Sequence, residues 1–418
     1  MHRTIGPERV YLFQGYNQGA VRRAEQARKT SLGIAEKVPP MTHMDAVHAT
    51  PASALAVFLD SAASTHKLST YRGVLTPEGF DAPETEIAAL GTGAAVHDLG
   101  WQRRVAVRGE DRFRWLSGMV TNMVNDLAAN CGAWNLVLNA QGRIQGDLMV
   151  WREDDRLELE IAADQYERLL EHLERFIIMD DVELAPLNGE AAGEAGPEAG
   201  LGLTGPQANE VLERLSLPTL AEPLTSTRVE WNGVDVRLVR GYGALVPHYE
   251  IWTPGAMLWK LWKYLPTAGA IPVGWPAVEA FRIAEGIPLY GVDMVERDLP
   301  QETSQTRALH FTKGCYLGQE IVERIRSRGN VHRHLRQLEI EGPIPAAGTE
   351  LKLDGAPAGQ ITSAAELALS TGKRIFALGM MRGEAEARNL PLSYEAIISA
   401  CAIACIWFAN RGWSFRWR

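Results

Sequence analysis

The chain has 418 residues, of which 46% are apolar and 22% charged, and a net charge of −9. That length exceeds one hydrophobic core and predicts two or three ordinary globular domains. The negative charge argues against bulk attraction to nucleic acid or an anionic membrane, although Arg324, Arg326, Arg328, His332, Arg333, His334 and Arg336 crowd one short basic stretch.

Residues 1–44 are polar and Arg-bearing, with no apolar stretch long enough for a signal peptide. They read as either an N-terminal arm or an overextended start, Met44 being the internal alternative. Val105–Val107 predicts a strand ending at Gly109, followed by a helix that places Glu110 and Asp111 at its positive end. Trp134–Leu138 and Ile144–Trp151 predict two strands turning at Asn139-Ala140-Gln141-Gly142, and Leu157–Ile161 another, alternating strand. Asp164 is expected to cap a helix whose Tyr166, Leu169, Leu170, Leu173, Phe176 and Ile177 form one core-facing stripe. Residues 187–200 are low in complexity and predict a surface loop.

Arg228–Val239 predicts a hairpin turning at Asn232-Gly233, a strong short-range turn signal. Met257–Leu265 and Val278–Glu285 predict helices, the second stopped by Gly286 and Pro288. After Asn330, short strands at Leu335–Ile340, Leu351–Leu353, Gln360–Thr362 and Ile375–Leu378 predict a small all-β unit. The apolar run Ile397–Phe408, at twelve residues, is too short to span a bilayer.

Four cysteines in this length make no disulfide framework, and no CxxC pair or ligand cluster suggests a metal site. A reducing, cytoplasmic compartment is expected. Cys315 stands out within Lys313-Gly314-Cys315-Tyr316-Leu317-Gly318-Gln319-Glu320, before a predicted helix in which Ile321, Val322 and Ile325 share a face. Lys313 and the helix dipole would both favour a thiolate. The alternative is a buried structural cysteine in a tight turn.

The octapeptide resembles the K-G-C-Y-x-G-Q-E signature of YgfZ-type folate-binding proteins, relatives of the glycine-cleavage T-protein, an aminomethyltransferase. Supporting segments follow in order. They are Gly109–Phe113 with Thr121-Asn122, Asn139–Asp147, Gly241-Tyr242 with Glu250, and Phe281–Gly286 with Tyr290-Gly291 and Asp293. The resemblance implies an α+β fold, with two related α+β domains and a small C-terminal β-barrel round a central cavity that holds folate. The expected divisions are 1–44, 45–330 for the folate-binding region, 331–395 for the barrel and 396–418 for an atypical tail.

The implied cofactor is tetrahydrofolate. Glu250 would accept hydrogen bonds from the pterin edge, Arg282 would pair with or stack on the ligand, and Tyr242, Asn122 and Tyr316 would surround it. Asp147, Cys315 and Lys313 would carry any chemistry. The chain departs from the T-protein in two places. Gly146 stands where that family pairs a second acid with Asp147, and the T-protein pattern K-x-D-F-x-G has no cysteine at Cys315.

Both departures imply the YgfZ branch, associated with assembly or repair of iron–sulfur clusters in enzymes such as tRNA-modifying methylthiotransferases. The alternative is a tetrahydrofolate-dependent aminomethyl or one-carbon transferase. Expected partners are folate and iron–sulfur client enzymes or assembly factors, with a monomeric chain and no membrane. The tail ends without the family's last glycine-containing strand, and reads as either a shifted frame or a real extension.

Overall fold

The computed structural model describes residues 50–62, 66–189, 197–329, 331–369, 372–388, 390–394 and 406–408. The expectations for residues 1–44, Cys401 and Cys405 lie outside these residues. Helix α1 (Ala54–Ser61) is capped by Ser53, whose hydroxyl accepts from the Ala56 amide at 3.0 Å. The hairpin β1 (Leu68–Tyr71) and β2 (Val74–Pro77), helix α2 (Pro83–Thr92) and strand β3 (Ala95–Asp98) follow.

Two successive segments then repeat one plan. The first is β4 (Gln102–Arg108), α3 (Arg112–Met119), β5 (Gly132–Leu138), β6 (Ile144–Arg152), β7 (Leu157–Ala162), α4 (Ala163–Glu174) and β8 (Glu183–Pro186). The second is β9 (Glu198–Thr204), α5 (Ala208–Arg214), β10 (Thr225–Trp231), β11 (Val234–Arg240), β12 (His248–Pro254), α6 (Leu258–Thr267) and β13 (Ile271–Pro272). The first sheet has the order β5-β6-β7-β4-β8, and the second β10-β11-β12-β9-β3-β13. In each, the first strand of the segment returns beside the fourth, so the two related α+β units are visible in the topology. They differ at the edge, where β3 separates β9 from β13 and pairs with β13 in parallel.

Local chemistry explains most turns. Asn232 and Gly233 both have positive φ, at 50° and 73°, as the tight β10–β11 hairpin requires. Helix α7 (Trp275–Glu285) ends where Gly286 takes the left-handed conformation. Two details differ from expectation. The cap of α4 is Ala162, without a side-chain bond, and Asp164 lies in the first turn, accepting from Arg72 at 2.7 Å. The apolar stripe also outlasts the helix, because α4 ends at Glu174 and Phe176 is exposed.

The predicted surface loop is likewise shorter than expected. Glu198–Gly200 opens β9, and Ala199 and Gly200 are buried. Trp252 fills the space over Gly200, so a Cβ there would meet its ring at 2.7 Å.

Beyond α7 come α8 (Gln319–Arg328) and a third sheet made of β14 (Arg333–Ile340), β15 (Glu350–Leu353), β16 (Ala356–Leu369) and β17 (Gly372–Arg382). A short helix, α9 (Gly383–Arg388), and an edge strand, β18 (Ile406–Phe408), complete it. Its strand order among the described residues is β15-β16-β17-β14-β18. β16 and β17 run through the breaks suggested by sequence as one long antiparallel pair, with a register shift between Ile361 and Ser363. Ile406–Phe408 pairs with Leu338–Ile340, filling an edge that the sequence left without a strand.

Each repeat has its own apolar core. Leu116, Val137, Val150, Leu159 and Leu169 belong to the first, and Leu203, Val211, Leu238, Ile251 and Leu261 to the second. A smaller cluster of Leu99, Trp151, Val239 and Trp252 joins the two sheets. Among the described residues no helix is long and apolar enough to cross a membrane.

Candidate functional site

A cavity of about 240 Å³ opens where the two sheets meet α7. Alternation along β6 buries Ile144, Gly146 and Leu148 and turns Asp147 to this cavity. Trp134 Nε1 donates to Asp147 Oδ2 at 2.9 Å, and Gln165 Nε2 to Oδ1 at 3.0 Å. Both oxygens are therefore held in fixed directions. Gly146 lies beneath α4, and a Cβ there would meet Gln165 Oε1 at 2.7 Å and Leu169 at 2.8 Å. The second acid of the family pattern thus has no room beside the packed Gln165.

Glu250 enters from β12 and is 6% exposed. Trp252 Nε1 donates to its Oε2 at 2.8 Å. Glu160, from β7, lies against it and is 5% exposed. Burial and the neighbouring Glu250 carboxylate push the Glu160 carboxyl well above the usual range. On the same wall, Thr204 Oγ1 lies 3.1 Å from His97 Nε2 and 2.8 Å from His248 Nδ1. Burial pulls these imidazoles down to about 4 and about 3, so both are neutral at neutral pH.

Arg282 lines the cavity from α7, but its guanidinium is already bonded within the protein. Nε donates to Glu279 Oε2 at 2.9 Å, and Nη1 to the Ile287 carbonyl and Asp293 Oδ2, both at 2.6 Å. Asp293 in turn accepts from Thr362 and Ser363 of β16, each at 2.6 Å. This arginine ties the cavity wall to the third sheet. Tyr242 also lines the cavity and is 40% exposed, with the Arg307 guanidinium 3.8 Å from its ring centroid and 4.5 Å from that of Trp134.

Asn122 and Tyr316 stand outside the cavity lining. Asn122 Nδ2 bonds the carbonyls of Trp134 and Arg307 at 2.9 and 2.8 Å, so it braces two residues that frame the site. Tyr316 is buried in the core, and burial raises its hydroxyl to about 12.

The octapeptide lies apart from the cavity lining. Gly314 and Gly318 both have positive φ, at 100° and 82°. Gly318 is the N-cap of α8, and a Cβ there would meet the Asn139 carbonyl oxygen at 2.6 Å. Cys315 therefore sits three residues before the cap, exposed on a loop, not at the helix N-terminus itself. The Lys313 ammonium is committed elsewhere. It donates to the carbonyls of Ser117 and Val120 at the C-terminal end of α3, where a cation complements the helix dipole. Burial pulls it down to about 8.

The sequence reading missed Glu160, Gln165, Trp134, Arg307 and Glu285. Glu160 is part of the alternation Leu157-Glu158-Leu159-Glu160-Ile161, which suggests one solvated face. Here the second sheet covers that face, and Glu158 is fully buried with Arg104. A paired acid in a strand beside buried arginines is visible only once both strands are placed.

A family model described as the GCVT N-terminal domain matches residues 56–313, more than half of the 418-residue chain. The chain belongs to that family. This GCVT-family chain is 28% identical over 307 residues to an aminomethyltransferase of Rubrobacter xylanophilus, covering 71% of this chain and 79% of that protein. It is 25% identical over 315 residues to a chloroplastic protein of Arabidopsis thaliana named "Putative transferase", covering 73% of this chain and 69% of that protein. The crystal structure of glycine cleavage system aminomethyltransferase T from Bartonella henselae superposes with a TM-score of 0.75 at 19% identity. It covers 88% of this chain and 99% of that one, which establishes a shared aminomethyltransferase fold.

Proposed function

We propose that the chain binds tetrahydrofolate in this cavity and acts as a YgfZ-type accessory protein for iron–sulfur cluster assembly or repair. What supports folate binding is one convergence. Asp147, Tyr242, Glu250 and Arg282, drawn from separate segments of sequence, line a single cavity. The donor set fits a reduced folate, because carboxylates match the N–H groups of a pterin edge and Trp134, Tyr242 and Phe281 offer ring faces. Glu250 would hold that edge. Tetrahydrofolate, when bound, supplies secondary amines that carry a one-carbon unit.

The accessory role draws on the exposed Cys315, which a protein partner can reach without entering the cavity. Thiolates are good ligands for soft metals and clusters. One observation favours the second reading, a one-carbon transferase. Asp147 is oriented in the wall by Trp134 and Gln165, where a carboxylate can position a folate nitrogen.

Tetrahydrofolate titration followed by tryptophan fluorescence tests the cavity. Glu250→Ala is expected to weaken binding by about 1.5–3 kcal/mol, the worth of a hydrogen bond to a charged group. Unchanged affinity would remove Glu250 from the site. Turnover of an aminomethyl donor by the wild-type protein would favour the transferase. Loss of iron–sulfur enzyme activity in cells carrying Cys315→Ser, with folate affinity retained, would favour the accessory role.

A further inference from the structure

The buried face between the two sheets holds several ion pairs. Arg104 bonds Glu158 and Glu198, and Arg156 bonds Glu158. Arg237 Nε donates to Glu153 Oε1 at 2.8 Å, and the more exposed Arg228 reaches Asp235 at 3.3 Å. These four guanidinium groups face the buried carboxylates Glu153 and Glu158 and the half-buried Glu198, with the exposed Asp155 and Asp235 at the edge, and Glu160 and Glu250 are the further carboxylates of this face.

These two acids face the cavity and each other. Among the described residues, Glu160 Oε2 is buried with no N–H or O–H partner, while Glu250 Oε2 has only the Trp252 indole at 2.8 Å. Two apposed carboxylates repel each other strongly at low dielectric.

We propose that Glu160 and Glu250 hold one proton between them and act as a single monoanionic receptor. The ligand edge it fits presents N–H donors beside an acceptor, as an aminopyrimidinone does. Glu160, as the acid, donates to the ligand acceptor, and Glu250, as the carboxylate, accepts from the N–H groups. Specificity follows from the mixed pattern, since a ligand offering acceptors alone would face the Glu250 charge, and one offering donors alone would face the Glu160 hydroxyl.

Of the groups packed around the pair, Arg104 from β4 and Arg237 from β11 favour ionisation of Glu160. Arg104 bonds Glu158 and Glu198, and Arg237 Nε bonds Glu153, while Arg237 Nη1 and Nη2 are buried without a hydrogen-bond partner among the described residues. Glu158 on the same strand is ionised, held at about 2 by its arginines. His97 on β3 and His248 on β12 are neutral at neutral pH and add no compensating charge. Farther round the wall, Asp147 accepts from Trp134 and Gln165, Glu285 is raised by burial to about 7, and Arg282 is paired with Glu279 and Asp293.

The ligand class rests on the folate reading above, but the shared proton is testable without ligand. Infrared difference spectra of wild type and Glu160→Gln at pH 7 should show one protonated carboxyl lost in the variant. Titrating that band in the wild type covers the case where the variant does not fold. The band should disappear as pH rises, and at lower pH in Glu250→Gln, where the like charge is gone. With tetrahydrofolate as probe, wild-type affinity should fall about tenfold per pH unit once the pair loses its proton, and Glu160→Gln should abolish that fall.

A wild-type protein with no such band at neutral pH, or a band indifferent to Glu250→Gln, overturns the proposal. If tetrahydrofolate does not bind but the band behaves as described, the proton-sharing pair stands and the folate assignment fails.

Discussion

Lys313 and Arg282 show how far residue chemistry can be read before neighbours are known. Both are cations in informative motifs, and both are bonded inside the protein. Lys313→Met keeps most of the stem but leaves the Ser117 and Val120 carbonyls unpaired in a buried place. It should cost about 1–3 kcal/mol in denaturant unfolding, whereas Cys315→Ser, on an exposed loop, should cost little. Equal stability of Lys313→Met and wild type would return the lysine to a role beside the thiol. Arg282→Ala breaks buried pairs with Glu279 and Asp293 and should cost about 3–5 kcal/mol. A variant of wild-type stability that lost only tetrahydrofolate affinity would instead make Arg282 a direct ligand contact.

At the scale of elements, the legible parts were those with local signals. The Asn232-Gly233 turn and the Gly286 stop stand where sequence placed them, because positive φ is demanded and met locally. The hidden parts depend on what covers a face. β7 alternates Leu and Glu, yet every residue in it is buried, since one side meets the helices and the other meets the second sheet. β9 begins in a Gly-rich tract that sequence assigned to a loop, because small residues are needed there under Trp252.

The segment that carries Tyr242 is held in the same non-local way. Glu285 of α7 accepts from the Leu245 amide at 3.0 Å and also from Ala244 and Val246. Burial outweighs these bonds and raises Glu285 to about 7, from an ordinary 4.5. Between those values the native state keeps a proton that the unfolded chain releases. The contribution is therefore full below about pH 4.5 and is lost as pH rises through 7. Glu285→Gln retains an acceptor without the charge. It should be more stable than wild type above pH 7, by roughly 2–4 kcal/mol, with the difference vanishing near pH 4. Thermal melts across pH read this directly, and a constant difference at all pH values would mean that Glu285 is not the titrating latch.

For the whole molecule, the decisive contact is between sheets, and no single segment reports it. Each sheet carries a large tryptophan over a glycine, with an arginine from the opposite sheet above the ring. Trp151 lies over Gly132 with the Arg237 guanidinium carbon 5.3 Å from its centroid, and Trp252 lies over Gly200 with that of Arg104 at 4.9 Å. The two differ in one respect that concerns the cavity. Trp252 Nε1 donates to Glu250, whereas Trp151 Nε1 has no partner among the described residues. Adding a methyl under either ring overpacks a close contact, at 2.5 Å for Gly132 and 2.7 Å for Gly200, and should destabilise by about 1–3 kcal/mol. Only Gly200→Ala displaces the indole that orients Glu250. Gly132→Ala should therefore lower the unfolding midpoint while keeping tetrahydrofolate affinity, and Gly200→Ala should lower both. If the two variants lost affinity equally, general loosening of the inter-sheet contact would account for it, and the Trp252–Glu250 bond would have no separate part in shaping the cavity.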